Sequence, residues 1–107
     1  MKRGSIYWVN LGASHPPEFG KTRPGLVISN SIQNSILDSV VVVPLSSRPG
    51  EIWPLRLPLT GVKGKISFAV LPGIRQVSKS RLVKPMGFAT SDFMSSLDEA
   101  LLLYLSD

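Results

Sequence analysis

The chain has 107 residues, too few for two ordinary domains, and 43% of them are hydrophobic, too many for a disordered polymer. With no cysteine and a single histidine, it excludes disulfide staples, thiolate metal sites and a histidine-built zinc or iron centre. Charge is uneven: Asp92, Asp98, Glu99 and Asp107 all follow residue 90, where no base occurs, so residues 1–90 hold 12 Lys+Arg against 3 acids, a net of +9. A basic body of that size suits a polyanionic partner, nucleic acid above all. No apolar run is long enough to span a membrane, and MKRGSIYWVNL lacks the core and cleavage site of a signal peptide. A single domain over residues 1–107 and a cytoplasmic location are the expectations.

Strand patterns fill the first 85 residues. SIYWVNL alternates, with Tyr7, Val9 and Leu11 on one face and Ile6 and Trp8 on the other. GLVIS and SVVVVPL are short apolar runs bounded by Gly, Pro and Ser, as buried strands are. SIQNSIL, between them, predicts a short helical turn. WPLRL predicts a strand with Trp53, Leu55 and Leu57 on one face and Arg56 on the other; Pro54 and Pro58 put it at a sheet edge. ISFAVL and IRQV follow, split by the turn signal Pro72-Gly73, and Arg81–Val83 predicts a brief further strand.

After Ser91 the period changes. Met94, Leu97, Leu101 and Tyr104, flanked by Phe93, Ala100 and Leu105, fall at helical spacing. Thr90 or Ser91 caps the start, and Asp92 suits the positive end of the helix dipole. Leu102 and Leu103 lie off the main apolar face, either exposed or against a second subunit. The expected fold is mainly β with a C-terminal helix: a small antiparallel, barrel-like domain closed by that helix.

Two places carry candidate chemistry. In GKTRPGLVIS, Arg23 stands where a polar loop, GASHPPEFGKT, meets a strand. Pro24 holds Arg23 extended, and a guanidinium stays charged and grips phosphate through paired hydrogen bonds. In PLSSR, a buried strand ends and Ser46, Ser47 and Arg48 emerge, a set able to hold phosphate oxygens but also a common turn. His15 is a possible acid or base, although a lone loop histidine is more often solvated. Lys63, Lys65, Arg75, Lys79 and Arg81 form a second basic group, which on strands and turns is usually a solvated face. Trp8 and Trp53 could stack on bases, with core packing the commoner role.

Taken together, the segments resemble the MazF/PemK family of toxin endoribonucleases. RGSIYWVNL is similar to that family's opening strand, EFGKTRPGLVIS to its Glu-x-x-x-x-Arg-Pro signature, and VVVVPLSS to its strand ending in Pro-Leu-Thr-Ser, with serine here for threonine. WPLRLPL, GVKGKIS, IRQVSKSRL and LDEALL follow in family order. The resemblance implies an SH3-like barrel of the MazF/PemK/CcdB type and a homodimer. It implies cleavage of single-stranded RNA without metal or other cofactor, and a cognate antitoxin whose acidic segment covers the RNA groove.

Residue by residue, the resemblance carries catalytic roles to Arg23 and Ser46. Substrate binding is expected at His15, Glu18, Lys21 and Thr22 on the loop, at Ser47 and Arg48, and at Arg75. His15 and Glu18 are the candidates for removing the 2′-OH proton. Where the family often has an acidic residue and glutamine before Ile-Arg, this chain has Pro72-Gly73. The alternatives are a CcdB-like toxin that binds gyrase, or an RNA-binding barrel without activity; Arg23 and Ser46 favour the nuclease.

Overall fold

Short runs of β-branched and aromatic residues, punctuated by Gly, Pro and Ser, form seven strands among residues 1–13 and 16–106, which the computed structural model describes. They are β1 Ser5–Asn10, β2 Thr22–Val27, β3 Ser39–Ser46, β4 Arg56–Val62, β5 Lys65–Val70, β6 Arg75–Ser78 and β7 Leu82–Phe88. Helix α1, Ser31–Ile36, joins β2 to β3, and α2, Ser91–Tyr104, follows β7. Every ladder is antiparallel, in the order β4-β5-β3-β2-β1-β7, with β6 also on β3. The sheet curls into a half-barrel because β3 is shared. Its first half pairs with β6, from Ser39 opposite Ser78 to Val42 opposite Arg75, and its last two residues pair with β5. This is the mainly β architecture with one C-terminal helix that the sequence predicts.

The run SVVVVPL is apolar throughout because both faces of β3 are covered. Val43 and Leu45 join Ile6, Leu26, Leu57, Leu59 and Leu71 in the larger core, which Phe93, Leu97 and Ala100 of α2 close. Val40 and Val42 face a smaller core with Val9, Leu11, Val27 and Val77, against which Tyr7, Phe19 and Leu82 pack. The alternation read in SIYWVNL thus separates two cores: Ile6 enters the larger, Val9 and Leu11 the smaller.

Local chemistry sets the element ends. The Thr90 hydroxyl accepts the Phe93 N–H at 3.1 Å and opens α2; Asn30 does the same for α1 through the Gln33 N–H. Lys63-Gly64, both at positive φ (52° and 70°), make the two-residue turn between β4 and β5. The Lys63 ammonium then lies 4.7 Å from the Trp8 ring centre, so the hairpin tip closes over β1.

Three expectations shift. WPLRL is not a strand along its whole length. Ile52 bridges to Arg56, and the Leu55 and Arg56 N–H groups both donate to the Ile52 carbonyl, so residues 53–55 form a tight turn and Trp53 is exposed. The edge position of the remaining strand, β4, is as predicted. β7 runs five residues further than Arg81–Val83 suggests, because β1 offers it a partner edge, and shifts of register accommodate Pro85. Leu105 ends α2 exposed instead of packing beside Leu101. Among the described residues no helix is long and apolar enough to cross a membrane.

Candidate active site

One open cleft, of about 1110 Å³, gathers most of the predicted site residues. Its position follows from strand register. β2 and β3 pair with Gly25 opposite Pro44, Leu26 opposite Val43 and Val27 opposite Val42. Continued by two residues, that register sets Arg23 opposite Ser46, and side chains two apart on a strand share a face. Both residues line the cleft.

Arg23 is half-buried and held from behind. Its Nε donates to the Gly20 carbonyl at 3.2 Å, and its guanidinium carbon lies 5.1 Å from the centre of the Phe19 ring. Phe19 is itself anchored against the smaller core, so the charge stands on a packed ring. The Nη groups have no acceptor among the described residues. Ser46 is 7% exposed, and its Oγ accepts the Arg48 N–H at 3.1 Å. That bond fixes the hydroxyl while leaving its own proton to donate.

Glu18, Ser47, Arg48 and Arg75 also line the cleft. Arg75 donates through Nη1 to the Leu11 carbonyl at 3.2 Å, which ties β6 to the end of β1. Lys21 and Thr22 are exposed at the loop's end and do not line it; instead the Lys21 backbone, at φ 61°, exchanges hydrogen bonds with Leu11 and Gly12 and closes the loop's base. His15 lies outside the described residues.

Two cleft residues escaped the sequence reading. The sequence marks Arg56 as the outward residue of a strand, and Arg81 as the start of a brief strand within a solvated basic group. Both line the cleft: Arg81 donates to the Asn10 carbonyl at 3.1 Å, and Arg56 to the carbonyls of Gly50 and Arg48. The excess of bases over acids before residue 90 was the available signal, but it assigns no residue to a site. Five arginines therefore surround the cleft, and Glu18 is the one carboxylate among its described lining residues. The ion pair present among the described residues, Arg3 with Asp98 at 2.7 Å, is not part of it. Such a surface has the charge and the hydrogen-bond donors to hold a phosphodiester chain.

The fold is a curled antiparallel half-barrel closed by one C-terminal helix, with an arginine-lined cleft where a loop meets a strand. The chain belongs to the family of PemK-like, MazF-like toxins of type II toxin–antitoxin systems, whose model matches residues 2–105. It is 29% identical over 113 residues to the endoribonuclease MazF9 of Mycobacterium tuberculosis (strain ATCC 25618 / H37Rv), covering 98% of this chain and 96% of that protein. Among solved structures, it resembles MazF from Deinococcus radiodurans at a TM-score of 0.80 and 25% identity, over 98% of this chain and 96% of that one. It resembles equally in fold an endoribonuclease from a mycobacterial species, solved in complex with its cognate antitoxin. There the TM-score is 0.81 and the identity 24%, over 100% and 98% of the two chains.

Proposed function

We propose that this MazF-type toxin cuts single-stranded RNA by directing the ribose 2′-OH at the adjacent phosphorus, leaving a 2′,3′-cyclic phosphate and a 5′-OH. The observation that carries the reading is that Arg23 and Ser46, each two residues beyond the Gly25–Pro44 pair, line the same arginine-rich cleft. As the 2′-O–P bond forms and the P–O5′ bond breaks, charge builds on the non-bridging oxygens and on the leaving oxygen. Donors already held in place stabilise that charge without reorganising. Ser46 donates to a non-bridging oxygen. Arg23 donates hydrogen bonds to the phosphate and to the leaving 5′-oxygen, which takes up a proton from solvent as it departs while the guanidinium keeps its charge. Arginine is too seldom deprotonated to be the base. Glu18 accepts the 2′-OH proton at the cleft wall, and Arg48, Arg75 and Arg81 hold neighbouring phosphates. With this much fixed positive charge, the reaction needs no metal.

The same cleft receives an acidic segment of a cognate antitoxin, which competes with RNA for the arginines. Leu102 and Leu103, exposed at 73% and 51% on α2, support a homodimer. The test is incubation with a long single-stranded RNA in EDTA, followed by end mapping. Cleavage with 5′-OH termini is the expected result. Scission of a substrate with 2′-deoxyribose at the cut position would overturn the chemistry.

A further inference from the structure

We infer that Arg56 is a positioning residue for RNA cleavage: it clamps the turn after β3 so that Ser46 and Arg48 present a fixed edge to the phosphate. The inference rests on the role proposed above for Ser46. Arg56 opens the edge strand β4 and reaches back across the turn that leaves β3. Its Nε donates to the Gly50 carbonyl at 2.8 Å, and its Nη2 donates to the Arg48 carbonyl at 2.7 Å. One planar guanidinium therefore bridges two carbonyls of a Pro-Gly turn.

The clamp connects to the hydroxyl by two routes. Arg48 supplies the first: its carbonyl is held by Arg56 while its N–H donates to Ser46 Oγ at 3.1 Å. Phe68 supplies the second. On β5 it stands opposite Ser46, and it is the diagonal neighbour of Arg56, which pairs with Val70. The Arg56 guanidinium carbon lies 5.6 Å from the Phe68 ring centre. The ring beside the clamp thus belongs to the residue paired with Ser46 across the ladder, and a shift of the guanidinium reaches the turn that orients Ser46. Because its recorded acceptors are neutral carbonyls, Arg56 also keeps its charge in the cleft.

Lysine at this position separates the two properties, since it keeps the charge but has no fork to span two carbonyls. Cleavage of a single-stranded RNA oligonucleotide is measured for Arg56→Lys and Arg56→Met, each in the wild-type and Ser46→Ala backgrounds. Backbone hydrogen exchange at Arg48 is followed in the same proteins. The expected result for Arg56→Lys is a kcat loss on the order of 100-fold, as for other displaced catalytic groups, with KM near the wild-type value. Arg48 exchange should be faster, and the lysine change should add little in the Ser46→Ala background. Arg56→Met should show the same kcat loss with a raised KM. A wild-type kcat for Arg56→Lys, or a full further loss on top of Ser46→Ala, would overturn the inference. If the wild-type protein cuts no RNA, the proposed function fails first, and Arg48 exchange still decides the clamp. Unchanged exchange in Arg56→Lys sinks it.

Discussion

Arg23 and Ser46 line one cleft, each two residues beyond Gly25–Pro44, the last pair of the β2–β3 ladder. Their separation along the chain is bridged by register alone. Among the described residues, Arg23 makes one side-chain hydrogen bond, to the Gly20 carbonyl, and rests on the Phe19 ring. Arg23→Ala is therefore expected to lose about 100- to 1000-fold in kcat, with little change in thermal midpoint. Steady-state cleavage and thermal melting of the purified variant check both halves. A variant cutting at the wild-type rate removes Arg23 from the reaction.

At Ser46 the hydroxyl and its restraint are separable. Ser46→Ala deletes the donor and leaves the Arg48 N–H without its acceptor, so kcat falls. Ser46→Thr keeps the hydroxyl and adds a methyl that restricts its rotamer, so activity is kept or raised. An active alanine variant beside a dead threonine one would show that the hydroxyl plays no part.

Glu18 is exposed and lines the cleft opposite no carboxylate partner among the described residues. Glu18→Gln preserves shape and hydrogen bonding but cannot take a proton. A general base typically contributes about 100- to 10,000-fold, so kcat should fall by that order while RNA binding persists. Equal cleavage rates for the glutamine variant and the wild type would exclude Glu18 as the base.

Gly73 is set by contact. A Cβ at this position would stand 2.5 Å from Pro44 Cγ and 3.4 Å from Phe19 Cδ1. Pro44 is fully buried and its ring cannot swing aside. Gly73→Ala is expected to destabilise the fold by about 1–3 kcal/mol, the usual range for overpacking. It should also disturb Arg23 through Phe19. Urea unfolding that gives wild-type stability would show that the cleft wall yields.

Helix α2 has two faces with different duties. Leu97 is fully buried in the larger core, so Leu97→Ala should cost about 2–5 kcal/mol through the cavity it leaves. Leu102 is exposed, and Leu102→Asp should leave stability of the isolated subunit intact while dissociating the proposed dimer. Sedimentation at micromolar concentration distinguishes the cases; an unaltered dimer in Leu102→Asp moves the interface elsewhere.

Periodicity and punctuation made the elements legible in the sequence. The unbroken apolar run of β3 signalled a strand covered on both faces, and Thr90 with the spacing of Phe93, Leu97 and Ala100 signalled the capped helix. These are local signals, written within a few residues by side-chain shape and backbone hydrogen bonding. Arg23, before a proline at the loop–strand junction, and Ser46, at the end of a buried strand, were visible for the same reason. Their partnership was not, because strand register is set by the packing of both sheet faces and by distant turns. Arg56 shows the limit most clearly. Alternation placed it correctly on an edge strand facing away from Leu57, but nothing local says that this face looks onto the turn after β3. The turn at residues 53–55, closed on the Ile52 carbonyl, folds residue 56 back to the carbonyls of residues 48 and 50, only eight and six residues away, and its direction is held by the pairing of β4 with β5, which no periodicity within the segment announces.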